Sequence, residues 1–244
     1  MVEISKKYRI GVKRFGLVNW IGSTTLYKKE VQRFLVVWIQ TLLSPIVSSL
    51  LFLLVLSLAI GNTRSNMLGV PFISFLAPGL IAMQVIGGSF NHSSSTFMMG
   101  KVQGNIVDIL YAPLSAAEVT LAINLAATTR SFMIVIISIF IFYFLIDIEI
   151  KNYYSLIFYI FISSFILGSV GIIAGLWAEK FDNLASITNF LIVPLSFLSG
   201  TFYTIDKLPQ SLQIVSKCNP FFYMIDGMRY SFLLKSDGSI FIGI

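Results

Sequence analysis

Five long apolar runs dominate this chain, over residues 34–60, 71–90, 119–146, 153–177 and 184–203. Each reaches or exceeds the roughly 20 residues that a helix needs to cross about 30 Å of hydrocarbon. Lipid offers no partner to a backbone amide or carbonyl, so a segment inside it must satisfy its own hydrogen bonds, as a helix does. Composition points the same way. The 244 residues are 56% hydrophobic and 11% charged, with a mean hydropathy of +0.86, whereas a soluble domain carries about 25% charged residues. The pattern predicts an all-α integral membrane protein and excludes a soluble globule. It divides the chain into an N-terminal segment, 1–33, and a membrane domain, 34–244.

Charge sets the expected orientation. The net charge is +6, and Lys6, Lys7, Arg9, Lys13, Arg14, Lys28, Lys29 and Arg33 all precede the first run. Basic residues beside a span are retained in the cytoplasm, so this cluster reads as a topology signal and not as a nucleic-acid surface. The later loops carry only a weak bias, with Lys101 and Lys180 inside but Arg64 and Lys151 outside. The first run is too long for the core of a cleavable signal peptide and has no small-residue cleavage site after it. Trp20 and Tyr27 are spaced as interface anchors, so residues 17–33 are either an interfacial helix or an ordinary basic flank. The single Cys218 excludes an intrachain disulfide and offers no metal cluster. No GxxxxGK[ST] phosphate loop occurs, so any ATP that drives this protein binds another chain.

Polar residues within the runs mark faces that turn away from lipid. In the first run Glu30, Arg33, Gln40, Thr41, Ser44 and Ser48 share one helical face, expected to meet a neighbouring helix, a second copy or a pathway. The second run is loosened by Pro78, Gly79, Gly87 and Gly88, and His92 with Ser93, Ser94 and Ser95 reads as a polar cap that ends it. A Ser–His catalytic pair is disfavoured because adjacent helical residues point apart and no orienting acid lies near in sequence. Arg130 stands about 24 Å of helix from Ile146, about 6 Å inside the boundary, where it can snorkel as an anchor or meet a substrate. The fourth run carries Gly171-xxx-Gly175, a pattern that allows close helix contact. The fifth places Ser186, Asn189, Ser196 and Gly200 on one face, with a kink at Pro194.

Two stretches between runs are distinctive. Residues 100–118, GKVQGNIVDILYAPLSAAE, form a polar island. Val102, Ile106, Ile109, Leu110 and Pro113 fall at helical spacing, opposite Lys101, Gln103, Asn105 and Asp108. A helix of about 10 residues cannot span and is expected to lie flat, one side on the protein and one side towards a partner. Residues 204–235 contain a short helix starting at Pro209, with Leu208, Leu212 and Val215 on one side. Asn219-Pro220 stops it and starts a second helix in which Asp226 and Arg229 stand at i, i+3. Both read as interfacial or re-entrant helices on the outer side.

Four segments together resemble the membrane (permease) subunit of ABC-2-type ATP-driven exporters, over about residues 27–237. They are YKKEVQRFLVVWIQTLLSP (27–45), QGNIVDILYAPLS (103–115), AEKFDNL (178–184) and PLSFLSGTFYTIDKLPQSLQIVSKCNPFFYMIDGMRYSF (194–232). The last is the most specific, with Gly200, Phe202, Tyr203, Leu208, Pro209, Asn219, Pro220, Tyr223, Asp226 and Arg229 at matching places. The resemblance implies an amphipathic connecting helix containing Glu30 and Arg33, a coupling helix over 106–113, and paired outer helices. Asp108 stands where the family usually has a Glu facing the ATPase. It further implies two permease copies working with two ATP-binding cassette subunits, which hold the ATP and magnesium, in a bacterial inner membrane. Substrate-contact candidates are Gln40, Ser44, Ser48, Arg130, Asn189 and Ser196. The substrate expected is an amphipathic or hydrophobic molecule, or a lipid-linked glycan. The family's sixth span would begin near Ser239, close to Ile244, the last residue given; a fragment and a lost final helix are the alternatives. Other classes fit less well. A secondary transporter calls for midplane charges and repeated halves, and an embedded enzyme for paired carboxylates, a metal cluster or a nucleophile–base pair. A membrane assembly protein without an ATPase is the remaining alternative.

Overall fold

The glycines of the fourth span set the architecture. The computed structural model describes residues 18–60, 67–146 and 148–238; Lys6, Lys7, Arg9, Lys13, Arg14, Arg64 and the segment from Ser239 lie outside them. Helix α6 (Tyr153–Trp177) starts at Asn152, whose side chain accepts from the Ser155 amide, and ends where Ala178 turns extended. Its Gly168, Gly171 and Gly175 face is buried. Helix α3 (Phe72–Val102) lies directly on that face. A Cβ at Gly171 would come within 2.5 Å of the Phe90 carbonyl oxygen, and one at Gly175 within 2.6 Å of the Ser94 carbonyl oxygen. The Gly171-xxx-Gly175 pattern is therefore used up inside the chain, closing α3 on α6. In lipid such contact is held by van der Waals packing and not by expulsion of water.

Helix α5 (Ala116–Ile146) packs on both members of this pair, and α10 (Pro220–Leu233) closes the end remote from the island. The core runs along α3 through Phe75, Leu76, Ile81, Ile86 and Phe90, meeting Phe142 of α5 and Ile225, Met228 and Phe232 of α10. Five segments among the described residues are long and apolar enough to cross a membrane: Ile39–Ala59, Phe72–Val102, Ala116–Ile146, Tyr153–Trp177 and Phe181–Leu198. The chain is thus an all-α, multi-pass integral membrane protein. The spans are unequally covered. About 67% of the α3 window is buried, against 22% for Ile39–Ala59 and 17% for Phe181–Leu198. The first and last spans are peripheral.

Several boundaries differ from the sequence reading. The first run is two elements: α1 (Trp20–Val36), then a π-helical turn Ile39–Leu43 leading into α2 (Ser44–Ile60). Val37 leaves helical geometry, and the Thr41 hydroxyl donates to Phe34 O at 2.8 Å and to Val37 O at 3.0 Å, the latter also accepting the Gln40 and Thr41 amides. The expected polar face is therefore broken. Glu30 and Arg33 turn to α3, whereas Gln40, Ser44 and Ser48 are exposed on the other element. The second span does not stop at Phe90. It continues to Val102, because His92, Ser93 and Ser94 face protein and not the interface.

The fifth span runs over α7 (Phe181–Ile187), a π-helical turn Thr188–Ile192, and α8 (Val193–Leu198), ending before Tyr203. The wide turn just before Pro194 changes the register of the faces. Ser186 and Asn189 are exposed, Ser196 and Gly200 buried, and the single expected face does not form. At the same end lie a 3₁₀ turn (Ile205–Lys207), the exposed helix α9 (Gln210–Cys218) and the buried α10.

Candidate functional site

The island folds into a short bracket. Lys101 stands in the last turn of α3, Gly104 takes the left-handed conformation at φ 74°, and α4 covers only Ile106–Leu110. The expected helix over 106–113 thus ends early, and Tyr111, Ala112 and Pro113 continue as irregular backbone. Of the five apolar positions, Ile109 is buried and Ile106 packs against the Phe97, Ile123 and Ile172 cluster; Val102, Leu110 and Pro113 are exposed. Asp108 is exposed as well, and Tyr111 is 86% exposed. Val107, Leu110 and Tyr111 form an outward apolar face with a carboxylate beside it.

Both flanks of the bracket are fastened. Lys101, expected on the free polar side, reaches back to the carbonyls of Gly175 and Ala178 at 3.0 and 2.8 Å, and also to that of Leu176. Downstream, Ser115 and Glu118 make a capping box for α5. The Glu118 carboxylate accepts from the Ser115 amide at 2.6 Å, and its own amide donates to the Ser115 hydroxyl at 3.3 Å. The other Glu118 oxygen accepts the Asn19 amide. Asn19 caps α1 by accepting from the Gly22 amide, and its Nδ2 donates to Pro113 O at 3.0 Å. A cleft of about 400 Å³ separates α1 from the bracket, with Lys29 and Thr25 on one wall and Asp108, Ile109 and Pro113 on the other.

A second cluster joins α1 to the middle of α3. Glu30 is only 1% exposed, and its Oε2 accepts from Arg33 Nε at 2.9 Å and from the Thr96 hydroxyl at 2.8 Å. Arg33 goes on to donate to His92 O at 3.0 Å, Thr96 Oγ1 at 2.6 Å and Ser95 Oγ at 3.1 Å. The His92 ring stands edge-on to Phe34, with Nε2 3.8 Å from Glu30 Oε2. An acid does therefore lie beside His92, brought from another helix, but beyond hydrogen-bond reach. Among the described residues no hydroxyl hydrogen-bonds to the ring; those of Ser95 and Thr96 donate to the His92 carbonyl. Arg130 is 9% exposed and does not snorkel. It donates to Gly88 O at 3.1 Å and Thr41 O at 2.9 Å, so it pins the π-helical turn to α3. Among the described residues no group of three or more His, Cys, Asp or Glu side chains could hold a metal ion.

Between the two peripheral spans runs an aromatic groove. Two adjoining cavities of about 290 and 430 Å³ share Phe52, Phe197 and Phe202. The first reaches Ser48, Ser49 and Gln84, and the second reaches Tyr203 and Lys207. Gln84 Nε2 donates to the Pro45 carbonyl and the Ser49 hydroxyl, tying α3 to α2 at the groove wall. Of the sequence candidates only Ser48 lines this groove. Ser196 is buried and donates to Ile192 O at 2.7 Å, while Gln40, Ser44 and Asn189 lie exposed elsewhere.

The far end is organised by Arg229, which is fully buried. Its Nη2 donates to Gly200 O at 2.8 Å, Nη1 stands 3.7 Å from Asp226 Oδ1, and the guanidinium lies 3.9 Å over the Phe75 ring. Asp226 accepts the amides of Asp237 and Gly238, and Asp237 accepts the Ile205 amide. Burial pushes the Asp226 and Asp237 carboxyls up, against the lowering pull of Arg229 and these amides. Asn219 caps α10 and donates to Leu195 O and Ser199 Oγ, both at 2.8 Å, so the Asn219-Pro220 turn is clamped to the end of the fifth span. Pro209 precedes α9, and Gly200 turns the chain at φ 73°.

Comparison with known proteins agrees with this arrangement. Residues 23–233 match the sequence profile of the family described as ABC-2 type transporter. The Escherichia coli K12 inner membrane transport permease YadH is 29% identical over 218 residues, covering 89% of this chain and 85% of that protein. Nodulation protein J of Neorhizobium galegae is 24% identical, over 89% of this chain and 82% of its own. The putative transport permease ycf38 of Cyanophora paradoxa is 26% identical, over 78% and 67%. With five spans among its described residues, a fastened bracket between the second and third, and a profile match over most of its length, this chain belongs to the ABC-2 type transporter family of transport permeases.

Proposed function

We propose that this chain is the membrane subunit of an ATP-driven exporter in a bacterial inner membrane. It works there with a second copy of itself, surrounding lipid, and two copies of a separate ATP-binding cassette subunit that hold the ATP and magnesium. The observation that carries the reading is the bracket: an exposed apolar face with Asp108 beside it, held from both flanks and backed by the spans. A loop pinned at both flanks can pass force on its exposed face to the spans behind it. The ATPase would seat its own surface over Leu110 and Tyr111 and into the cleft between Lys29 and Asp108. The bracket end and the N-terminus of α1 would face the cytoplasm, and α9 and α10 the outside.

In this reading Glu30 and Arg33 do not touch the ATPase. They transmit, because their partners are His92, Thr96 and Ser95 of α3. Closure of the ATPases would move rigid helices between two arrangements, opening the groove first to one side and then to the other. The aromatic walls suit an amphipathic or hydrophobic substrate. Tyr203 and Lys207 at the far end favour a polar or anionic head, so a lipid-linked glycan is the second reading within the same architecture. Gentle detergent purification from native membranes, with mass spectrometry of what accompanies the chain, tests the class. An ATP-binding subunit in near-equal amount, lost on Asp108→Arg, is the expected result. Undiminished capture by that variant would remove Asp108 from the docking surface, and no ATPase at all would overturn the reading.

A further inference from the structure

We infer that Lys101 is a positioning residue that locks the bracket to α6, so that displacement of α4 moves the fourth span directly. The inference rests on the reading above that α4 receives an ATPase. Its basis is geometric. An ammonium has three N–H donors, and that of Lys101 meets three carbonyls, those of Gly175, Leu176 and Ala178. These carbonyls lie at the C-terminus of α6, where helical backbone leaves its acceptors without internal partners and where the helix dipole is negative. A cation there stabilises the helix end and is held by it, and all three of its donors are engaged.

The place of this contact in the chain gives it a consequence. Lys101 belongs to the last turn of α3, directly before the Gly104 turn into α4. Helix α6 has no covalent link to the bracket, and 74 residues separate Lys101 from Gly175. Among the described residues, every hydrogen bond from residues 101–114 to the end of α6 comes from the Lys101 ammonium. The downstream fastening goes elsewhere, from Pro113 and Glu118 to Asn19 of α1. The bracket thus divides its input. One side is hydrogen-bonded to α6 by a single side chain, beside the apolar packing of Ile106 on the Phe97, Ile123 and Ile172 cluster, and the other is tied to α1 and α5 by interlocked caps. The backbone contact of Gly175 with Ser94 keeps the α6 end within reach of the lysine and makes α3 and α6 respond together.

The test reads distance and turnover separately. Spin labels are placed at two exposed positions, Gln103→Cys and Glu179→Cys, after the exposed Cys218 is changed to Ser. Distances are measured in nanodiscs on the complex with its ATPase, nucleotide-free and trapped with ATP and vanadate. In complexes in which one of the two membrane copies carries both labels, the parent is expected to hold one narrow distance in both states. Lys101→Met and Lys101→Gln are expected to capture the same amount of ATPase, yet to show a broadened distance that shifts with nucleotide and to lose the stimulation of ATP hydrolysis by the membrane subunit. Lys101→Arg, which restores the cation, should recover both. Distances in Lys101→Met and Lys101→Gln that match the parent in both states would overturn the inference. If the parent captures no ATPase, the functional reading fails on its own. The chain alone then still decides the strut: a wider distribution in Lys101→Met than in the parent supports it, and an identical one refutes it.

Discussion

The two ends of the bundle are fastened by different physics. At the bracket end most ties run from side chains to backbone carbonyls: half-buried Lys101 to the end of α6, half-buried Arg33 to His92 O and buried Asn19 to Pro113 O, with one buried carboxylate, Glu30, held by Arg33. Water can replace such bonds in part, so each is worth about 0.5–1.5 kcal/mol net when neutral and about 1.5–3 kcal/mol when the donor is charged, as for Lys101 and Arg33. At the other end Arg229 is 0% exposed between Asp226 and Asp237, with Phe75 beneath it. Arg229 and Asp226 have no water to fall back on, while Asp237 is half-buried, so removing Arg229 leaves Asp226 above all uncompensated. The difference separates a joint from an anchor. One end can be re-seated by a partner at modest cost; the other holds α10 on α3 whatever the partner does.

The largest test of this contrast is Arg229→Met. Stranding the buried Asp226 should cost about 3–5 kcal/mol, read as a lower midpoint in detergent thermal unfolding. A loss under about 1 kcal/mol, the range of an exposed pair, would abolish the contrast. Gly227→Ala comes next. Its Cβ would lie 2.1 Å from the Tyr159 ring, and overpacking of this kind costs about 1–3 kcal/mol. Pairing it with Tyr159→Leu should return part of the loss, whereas simple additivity would place the strain elsewhere. Arg33→Met sharpens the comparison from the bracket end. It leaves the Glu30 carboxylate without its cation, and about 1–3 kcal/mol should go, less than for Arg229→Met by the same assay. Asp108→Arg should change stability least, by no more than about 0.5 kcal/mol as an exposed substitution, while abolishing ATPase capture. A large drop in its melting midpoint would show that the bracket is part of the core.

What the sequence disclosed follows from what is local. Helix α6 occupies Tyr153–Trp177, the residues read as the fourth span, because Asn152 caps it and AEKFDN ends it. Helix α3 runs 12 residues past the end that the sequence suggests, to Val102 and not Phe90, because His92 to Ser95 look like an interface in sequence but turn towards α1 and α6. No local pattern reveals that His92 and Thr96 meet Glu30 and Arg33, whose partners lie 59 or more residues away. The carbonyl cage around Lys101 is likewise purely tertiary. One signal was available and unread: Ser115-Ala-Ala-Glu118 before an apolar run spells a capping box, and with it the start of α5. The buried Arg229 was legible as an i, i+3 partner of Asp226, but its Phe75 and Gly200 contacts were not.

The lengths of α3 and α5 carry a last consequence. Each has 31 residues and so rises about 46 Å, some 16 Å more than the hydrocarbon thickness. The two helices that carry the bracket are therefore long enough to act as stalks, lifting α4 clear of the acyl chains on a lever about half as long as the membrane is thick. A partner sitting there need not touch lipid, and a small sideways push on the tip becomes a tilt about a fulcrum near the headgroups. Opposite that fulcrum lies the end held by Arg229, and the first and last spans, with 22% and 17% of their windows buried, are the ones the rest of the bundle grips least.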